Sequence, residues 1–185
     1  MSDITPEIAL GSIPLASDVN YLSSRGIGVV VNMCREYKGP IQDYGRHDIQ
    51  QVHLPTPDIC EPAFHDILEG VYKVRKHILD THGTSSNQME SRKNRVFVHC
   101  KAGRGRSAAF TLCLLVSLDI PPTEAMQLIC ERRKVVEKRV HNFKVVKRFV
   151  EELRAAKGDF DAMYSTYHHT DTQGDEDDSK LPKCK

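Results

Sequence analysis

Residues 95–107, Arg-Val-Phe-Val-His-Cys-Lys-Ala-Gly-Arg-Gly-Arg-Ser, constrain the fold of this chain more than any other stretch. Val96, Phe97 and Val98 are apolar on consecutive positions, a pattern that suits a strand covered on both faces. The strand ends at Cys100, and a short basic loop with two glycines follows. Beyond it, Ser107–Leu118 is apolar almost all round, as expected of a buried helix. A buried strand feeding a buried helix through a tight loop belongs in a layered α/β domain.

The rest of the chain agrees with that reading. Val29-Val30-Val31 repeats the doubly covered pattern, and strands are expected at Ile8–Ile13, Gly28–Cys34, Gln51–Leu54 and Arg95–Cys100. Phe64, Ile67, Leu68, Val71, Val74, Ile78 and Leu79 recur at three- and four-residue steps and predict an amphipathic helix over Pro62–Thr81. Pro121-Pro122-Thr123-Glu124 is a helix start, with Pro122 in the first turn and a carboxylate near the positive end. That helix should run to about Arg133. Phe143, Val146, Phe149, Val150 and Leu153 predict a last helix over Asn142–Ala156. The fold class is therefore α/β, with a central mostly parallel sheet of four to five strands flanked by helices. The polar stretch Thr81–Asn94 reads as an exposed loop.

The chain has 185 residues, which suits one domain. That domain is placed at residues 1–157, and the polar, acidic stretch 158–185 is expected to be a disordered tail. The whole chain carries a net charge of +1. From Asp159 onward it holds seven acidic residues and three lysines, which leaves the body near +5. This is a modest bias toward anionic partners and too weak to argue for nucleic acid. The six cysteines are scattered without a paired metal-ligand spacing. They read as free thiols of a reducing compartment, and no metal or cofactor is expected. Met1–Leu10 lacks the basic and apolar runs of a signal or transit peptide, so a cytoplasmic location is expected. Ala108–Leu118 is the longest apolar stretch and is too short to span a bilayer, although peripheral membrane contact stays open. A monomer is expected.

The chemistry concentrates after the last strand. Backbone N–H groups of a tight loop form an anion nest. The N-terminus of the following helix adds positive potential. Arg106 offers a bidentate fork to an oxyanion. A thiol at Cys100 in that field should be shifted toward thiolate and face a bound phosphate.

The combination of His99, Cys100, Gly103, Arg106 and Ser107 between a strand and a helix resembles the cysteine-dependent protein tyrosine phosphatase superfamily, and within it the dual-specificity class. The resemblance covers Ile8 to Leu153. It implies that Cys100 attacks phosphorus to form a phosphocysteine. Arg106 and the loop Lys101, Ala102, Gly103, Arg104, Gly105 would hold the phosphoryl oxygens. Ser107 would donate to the sulfur, and His99 would orient the loop from below. Asp58, in Leu54-Pro55-Thr56-Pro57-Asp58, would be the general acid and then the base toward water. Asp43, Asp48 and Glu61 are its rivals.

The run His-Cys-Lys-Ala-Gly-Arg-Gly-Arg-Ser is also similar to the loops of phospholipid-directed members. These include phosphoinositide phosphatases and, more closely, mitochondrial tyrosine-phosphatase-like enzymes acting on phosphatidylglycerophosphate. A mitochondrial location is implied by that resemblance only. Lys101 and Arg104 would favour a headgroup rich in phosphate. The alternatives are that they only face solvent and that the enzyme is a dual-specificity phosphatase of phosphoproteins. A catalytically silent phosphate-binding module is the rival from another class.

Several residues have two readings. Asn142 either helps hold the loop or the attacking water, or it caps a helix. Glu36 reads first as a surface carboxylate, with an ion pair to the loop arginine as the other option. Cys34, Cys113 and Cys130 read as core. Cys60 is close enough in sequence to Asp58 that a protective disulfide with Cys100 is a minor option. Cys184 in the tail reads as inert, and His168-His169 is a poor metal site.

Overall fold

The computed structural model describes residues 1–82 and 93–170. Five strands form one sheet: β1 (Ser2–Asp3), β2 (Ile8–Gly11), β3 (Ile27–Cys34), β4 (Gln50–Thr56) and β5 (Arg95–His99). Their spatial order is β1-β2-β5-β3-β4. Only the short β1 runs antiparallel; β2, β5, β3 and β4 are mutually parallel. The helices are α1 (Val19–Ser24), α2 (Ile41–Arg46), α3 (Phe64–His82), α4 (Arg106–Ser117), α5 (Pro122–Arg132), α6 (Lys144–Ala155) and α7 (Phe160–Thr170). The expected α/β architecture is the one observed.

The two-residue period of a strand divides the core into two layers. Ile8 and Leu10 of β2, Val29, Val31 and Met33 of β3, and Val96 and Val98 of β5 face the layer of α3 to α7. Ala9, Val30 and Phe97 face the other side, where Val19 and Leu22 of α1 and Tyr44 of α2 cover them. The consecutive apolar runs in β3 and β5 follow from this double coverage. Every residue of α4 is buried, since it lies between the sheet and its helical neighbours. Its polar residues are satisfied locally: Thr111 Oγ1 donates to the Ser107 carbonyl at 2.8 Å, and Ser117 Oγ to that of Leu114 at 2.8 Å.

The structure departs from the sequence-based expectation in three places. First, α1 and α2 have six residues each, too short for a helical period to stand out. Second, the last predicted helix begins at Lys144, because Val140–Asn142 forms a separate 3-10 turn. Third, the chain beyond 157 is not simply a tail. Residues 160–170 form α7, which packs on α3 and α6.

Gly158 turns the chain with φ of +85°, and the Asp159 carboxylate then accepts from the Ala162 N–H at 2.9 Å as a helix cap. Phe160 and Met163 are buried, and Tyr164 stacks on Tyr72 at 3.9 Å. Arg75 forks onto Asp161 at 3.0 and 3.1 Å. The acidic composition of 158–185 hid an i, i+3, i+4, i+7 pattern at Phe160, Met163, Tyr164 and Tyr167. The domain therefore extends to at least 170. The loop expected at 81–94 and the remaining tail fall mostly outside the described residues.

Candidate active site

The parallel strands β2 to β5 end on one side of the sheet, and the cleft opens there, as is usual for α/β sheets. Its volume is about 620 Å³, and Asp58, Cys100, Lys101, Arg104 and Arg106 line it. Cys100 is the first residue past β5, and residues 101–105 curl around its sulfur before α4 begins at Arg106. Gly103 sits at φ +66°, and a Cβ there would collide with the Gly11 carbonyl. A left-handed residue pressed against neighbouring backbone has to be glycine.

Burial of Cys100 by itself would raise its thiol pKa. The Ser107 hydroxyl, which donates to Sγ at 3.1 Å, and the N–H groups of Ser107, Arg104 and Gly103 outweigh that penalty. The thiol pKa is therefore lowered from its usual value, which favours the thiolate. The other buried thiols behave oppositely: burial pushes Cys34 up to about 12 and raises Cys113 as well. Low thiol pKa is thus a property of the loop around Cys100, not of burial.

Arg106 is almost fully buried. Its Nη1 donates to the Thr56 carbonyl at 2.8 Å and to Glu36 Oε2 at 3.1 Å. Its Nη2 donates to Glu36 Oε1 at 2.9 Å and to Asp58 Oδ1 at 2.9 Å. Glu36 is therefore a partner of the loop arginine and not the free surface carboxylate expected first. The Arg106 hydrogen bonds hold the Glu36 carboxyl below its usual range, against partial burial. The ion pair with the loop arginine, the second option for Glu36 from sequence, is the one the fold forms, because the end of β3 and the start of α4 meet at the cleft.

Asp58 lies just beyond β4, half-exposed at the cleft, and its second oxygen accepts from Lys101 Nζ at 3.3 Å. Of the rival acids, Asp43 pairs with Arg46 on α2, and Glu61 accepts from the Val145 N–H at 3.3 Å. Asp48 lies in the connection between α2 and β4. Of these four acids, Asp58 is the one that reaches Arg106. Lys101 is 64% exposed at the mouth. Arg104 is also exposed, with its Nε donating to the Val135 carbonyl at 3.1 Å.

Arg133 supports the loop from outside, a role sequence reasoning missed. Its Nε and Nη2 donate to the carbonyls of Gly103 at 2.8 Å and Ala102 at 3.0 Å. His99 is fully buried on the opposite sheet face, stacked on Phe97 at 5.7 Å. Burial lowers its pKa to about 4, so the ring is neutral near pH 7. Asn142 is exposed on the 3-10 turn; α6 is capped by Phe143, which lines the cleft in its place. Cys100 is a free thiol, so no disulfide joins it to Cys60. A second cavity, of about 430 Å³ between α4, α5 and α6, is lined by Leu112, Met126, Val146 and Val150 and contains no cysteine.

Comparison with known proteins agrees with this geometry. Residues 8–153 match the family model of the dual specificity phosphatase catalytic domain. The chain is 28% identical over 160 residues to the human phosphatidylglycerophosphatase and protein-tyrosine phosphatase 1, covering 82% of this chain and 74% of that protein. It is 30% identical over 112 residues to the phosphatidylglycerophosphate phosphatase PTPMT2 of Arabidopsis thaliana, covering 59% and 44%. The crystal structure of PTPMT1 superposes with a TM-score of 0.67 at 26% identity, over 84% of this chain and 98% of that one. By its matched domain, the chain belongs to the dual specificity phosphatase family and is a cysteine-based phosphatase.

Proposed function

We propose that the protein hydrolyses the phosphomonoester of an anionic phospholipid headgroup of the phosphatidylglycerophosphate or phosphoinositide kind. The observation that carries this reading is the placement of Lys101 and Arg104 in the lining of the cleft, beside the buried Arg106 that would hold the first phosphate. A headgroup with a second phosphate gains from cations outside the pocket that holds the first. The names of the human and Arabidopsis relatives point the same way.

In the proposed reaction the Cys100 thiolate attacks phosphorus, forming the S–P bond as the P–O bond to the alcohol breaks. The loop N–H groups and Arg106 hold the phosphoryl oxygens, where charge spreads in the transition state. The substrate phosphoryl group competes with Asp58 for the Arg106 Nη2 donor; the freed carboxylate takes up a proton from solvent beside the phosphate and then gives it to the leaving oxygen. Asp58 then takes a proton from water, which attacks phosphorus. The S–P bond breaks and inorganic phosphate leaves. The Ser107 hydroxyl stabilises the departing thiolate.

Phosphate release should be measured from phosphatidylglycerophosphate, phosphoinositides, and phosphotyrosine and phosphothreonine peptides, with EDTA present and Cys100→Ser as the blank. The reading expects the lipids to turn over at least tenfold better than any peptide. Better turnover of peptides would sink it and make the enzyme a phosphoprotein phosphatase.

A further inference from the structure

The proposed lipid reading concerns what enters the cleft; the surface around the cleft points to a second role. Three exposed bulky aliphatic side chains among the described residues lie at the cleft or in connections bonded to its loop. Ile59 is 83% exposed, Leu15 62% and Val135 51%. They come from three different connections. Leu15 follows β2 and is two residues from Ile13, whose N–H donates to the Lys101 carbonyl. Ile59 follows Asp58. Val135 lies in the loop 133–139, which is tied to the phosphate loop through Arg133, the Val135 carbonyl and the Glu137 N–H. Ile59 also has φ of +66°, a backbone state that a β-branched residue rarely adopts. The chain thus strains its backbone to hold an isoleucine out into solvent beside its own active site.

Lys101 and Arg104 line the cleft, and Arg35, Lys134, Lys138 and Arg139 are exposed in the connections next to it. Of the carboxylates there, Glu36 and Asp58 are engaged by Arg106 and Lys101, Glu61 accepts from the Val145 N–H and Glu137 from the Arg139 N–H, and the cations outnumber them. Aliphatic side chains set among excess positive charge match an anionic lipid surface, which offers phosphates at the level of the cations and hydrocarbon just beneath. An acidic protein surface would satisfy the cations but leave the strained, protruding isoleucine without a counterpart. No helix among the described residues is long and apolar enough to cross a membrane, so attachment would be peripheral.

We infer that the cleft-bearing face is a docking surface for anionic bilayers, with Leu15, Ile59 and Val135 entering the interface. This rests on the lipid reading of the cleft but is tested apart from it. The full chain is sedimented with vesicles of phosphatidylcholine alone or with one third phosphatidylglycerol, which carries charge but no phosphomonoester. Binding is expected only to the charged vesicles and should fall at least tenfold in 0.5 M salt. The double variant Leu15→Gln, Val135→Gln, which removes the apolar side chains without adding charge and keeps the Val135 carbonyl on Arg104, should bind at least tenfold more weakly, yet hydrolyse a soluble aryl phosphate at the wild-type rate. Leu79→Gln, the same change on an exposed leucine at the far end of α3, should bind like wild type.

Wild-type failure to bind phosphatidylglycerol vesicles overturns the inference, even if detergent-dispersed phosphatidylglycerophosphate is a good substrate. So does a double variant that binds as well as wild type. Vesicle binding lost in the double variant upholds the inference, even if peptides prove to be the better substrates.

Discussion

Cys100 shows how a few hydrogen bonds can decide a residue's chemistry. Its burial favours the neutral thiol, and the Ser107 hydroxyl at 3.1 Å contributes to reversing that preference. Ser107→Ala should therefore move the midpoint of iodoacetamide alkylation against pH upward. It should also lower kcat by about 10- to 100-fold, the range for a hydrogen bond to a charged group. An unmoved midpoint would remove Ser107 from the mechanism. His99 gives a second residue-scale test. Its folded pKa of about 4 lies below the ordinary histidine value of 6.5, so the unfolded chain binds a proton first as pH falls. The stability it confers is complete above pH 6.5 and is lost progressively as pH falls toward 4. Because each tenfold change in proton affinity is worth about 1.4 kcal/mol, the loss is about 3 kcal/mol. Thermal unfolding followed across about pH 4–7 should show this slope, and His99→Asn should flatten it.

At the scale of elements, the phosphate loop is fixed by its neighbours as much as by its own sequence. Gly103 is pressed against β2 at Gly11, whereas a Cβ on Gly105 would meet only Phe143 at 3.9 Å. Gly103→Ala should cost about 1–3 kcal/mol from the backbone alone and abolish turnover. Gly105→Ala should fold with stability within about 1 kcal/mol of wild type. Equal behaviour of the two in denaturant titration and assay would refute this account of the loop. Helix α7 provides the other element-scale prediction. Phe160 is fully buried beside Phe149, with Arg75 over its ring at 5.3 Å. Phe160→Ala should cost about 3–5 kcal/mol in chemical unfolding. A change under about 1 kcal/mol would mean that α7 does not belong to the cooperative unit.

For the whole molecule, the site is a convergence of distant segments on an anion, so the anion should stabilise the whole fold. Inorganic phosphate at about 100 times its dissociation constant adds about 2.7 kcal/mol. In a domain of this size that is roughly 5–10 °C in Tm. Arg106→Met should abolish the rise. A wild-type Tm that ignores phosphate would mean that the loop does not bind the anion.

The strand and helix runs of the central layers were legible in the sequence, because double coverage leaves consecutive apolar residues and an amphipathic helix leaves a period. The loop from Cys100 to Ser107 was legible for the same reason: its chemistry is local, within one strand–turn–helix. Asp58 was singled out by the family resemblance, and the structure places it just beyond β4 at the cleft. Glu36 was legible only as one of two options, and the Thr56 carbonyl and Arg133 were not legible. They serve Arg106 and the loop from distant positions in the chain, and nothing local distinguishes a carboxylate that will meet a buried guanidinium from one that will meet water. α7 was half-legible, its apolar period masked by acidic neighbours. The sequence by itself thus determined the layered fold and the strand–loop–helix around Cys100, since both are written in short-range patterns of burial and turn chemistry. Tertiary structure alone decided which carboxylates face Arg106 and which aliphatic side chains share the cleft's face, because only packing sets the contacts between segments far apart in the chain.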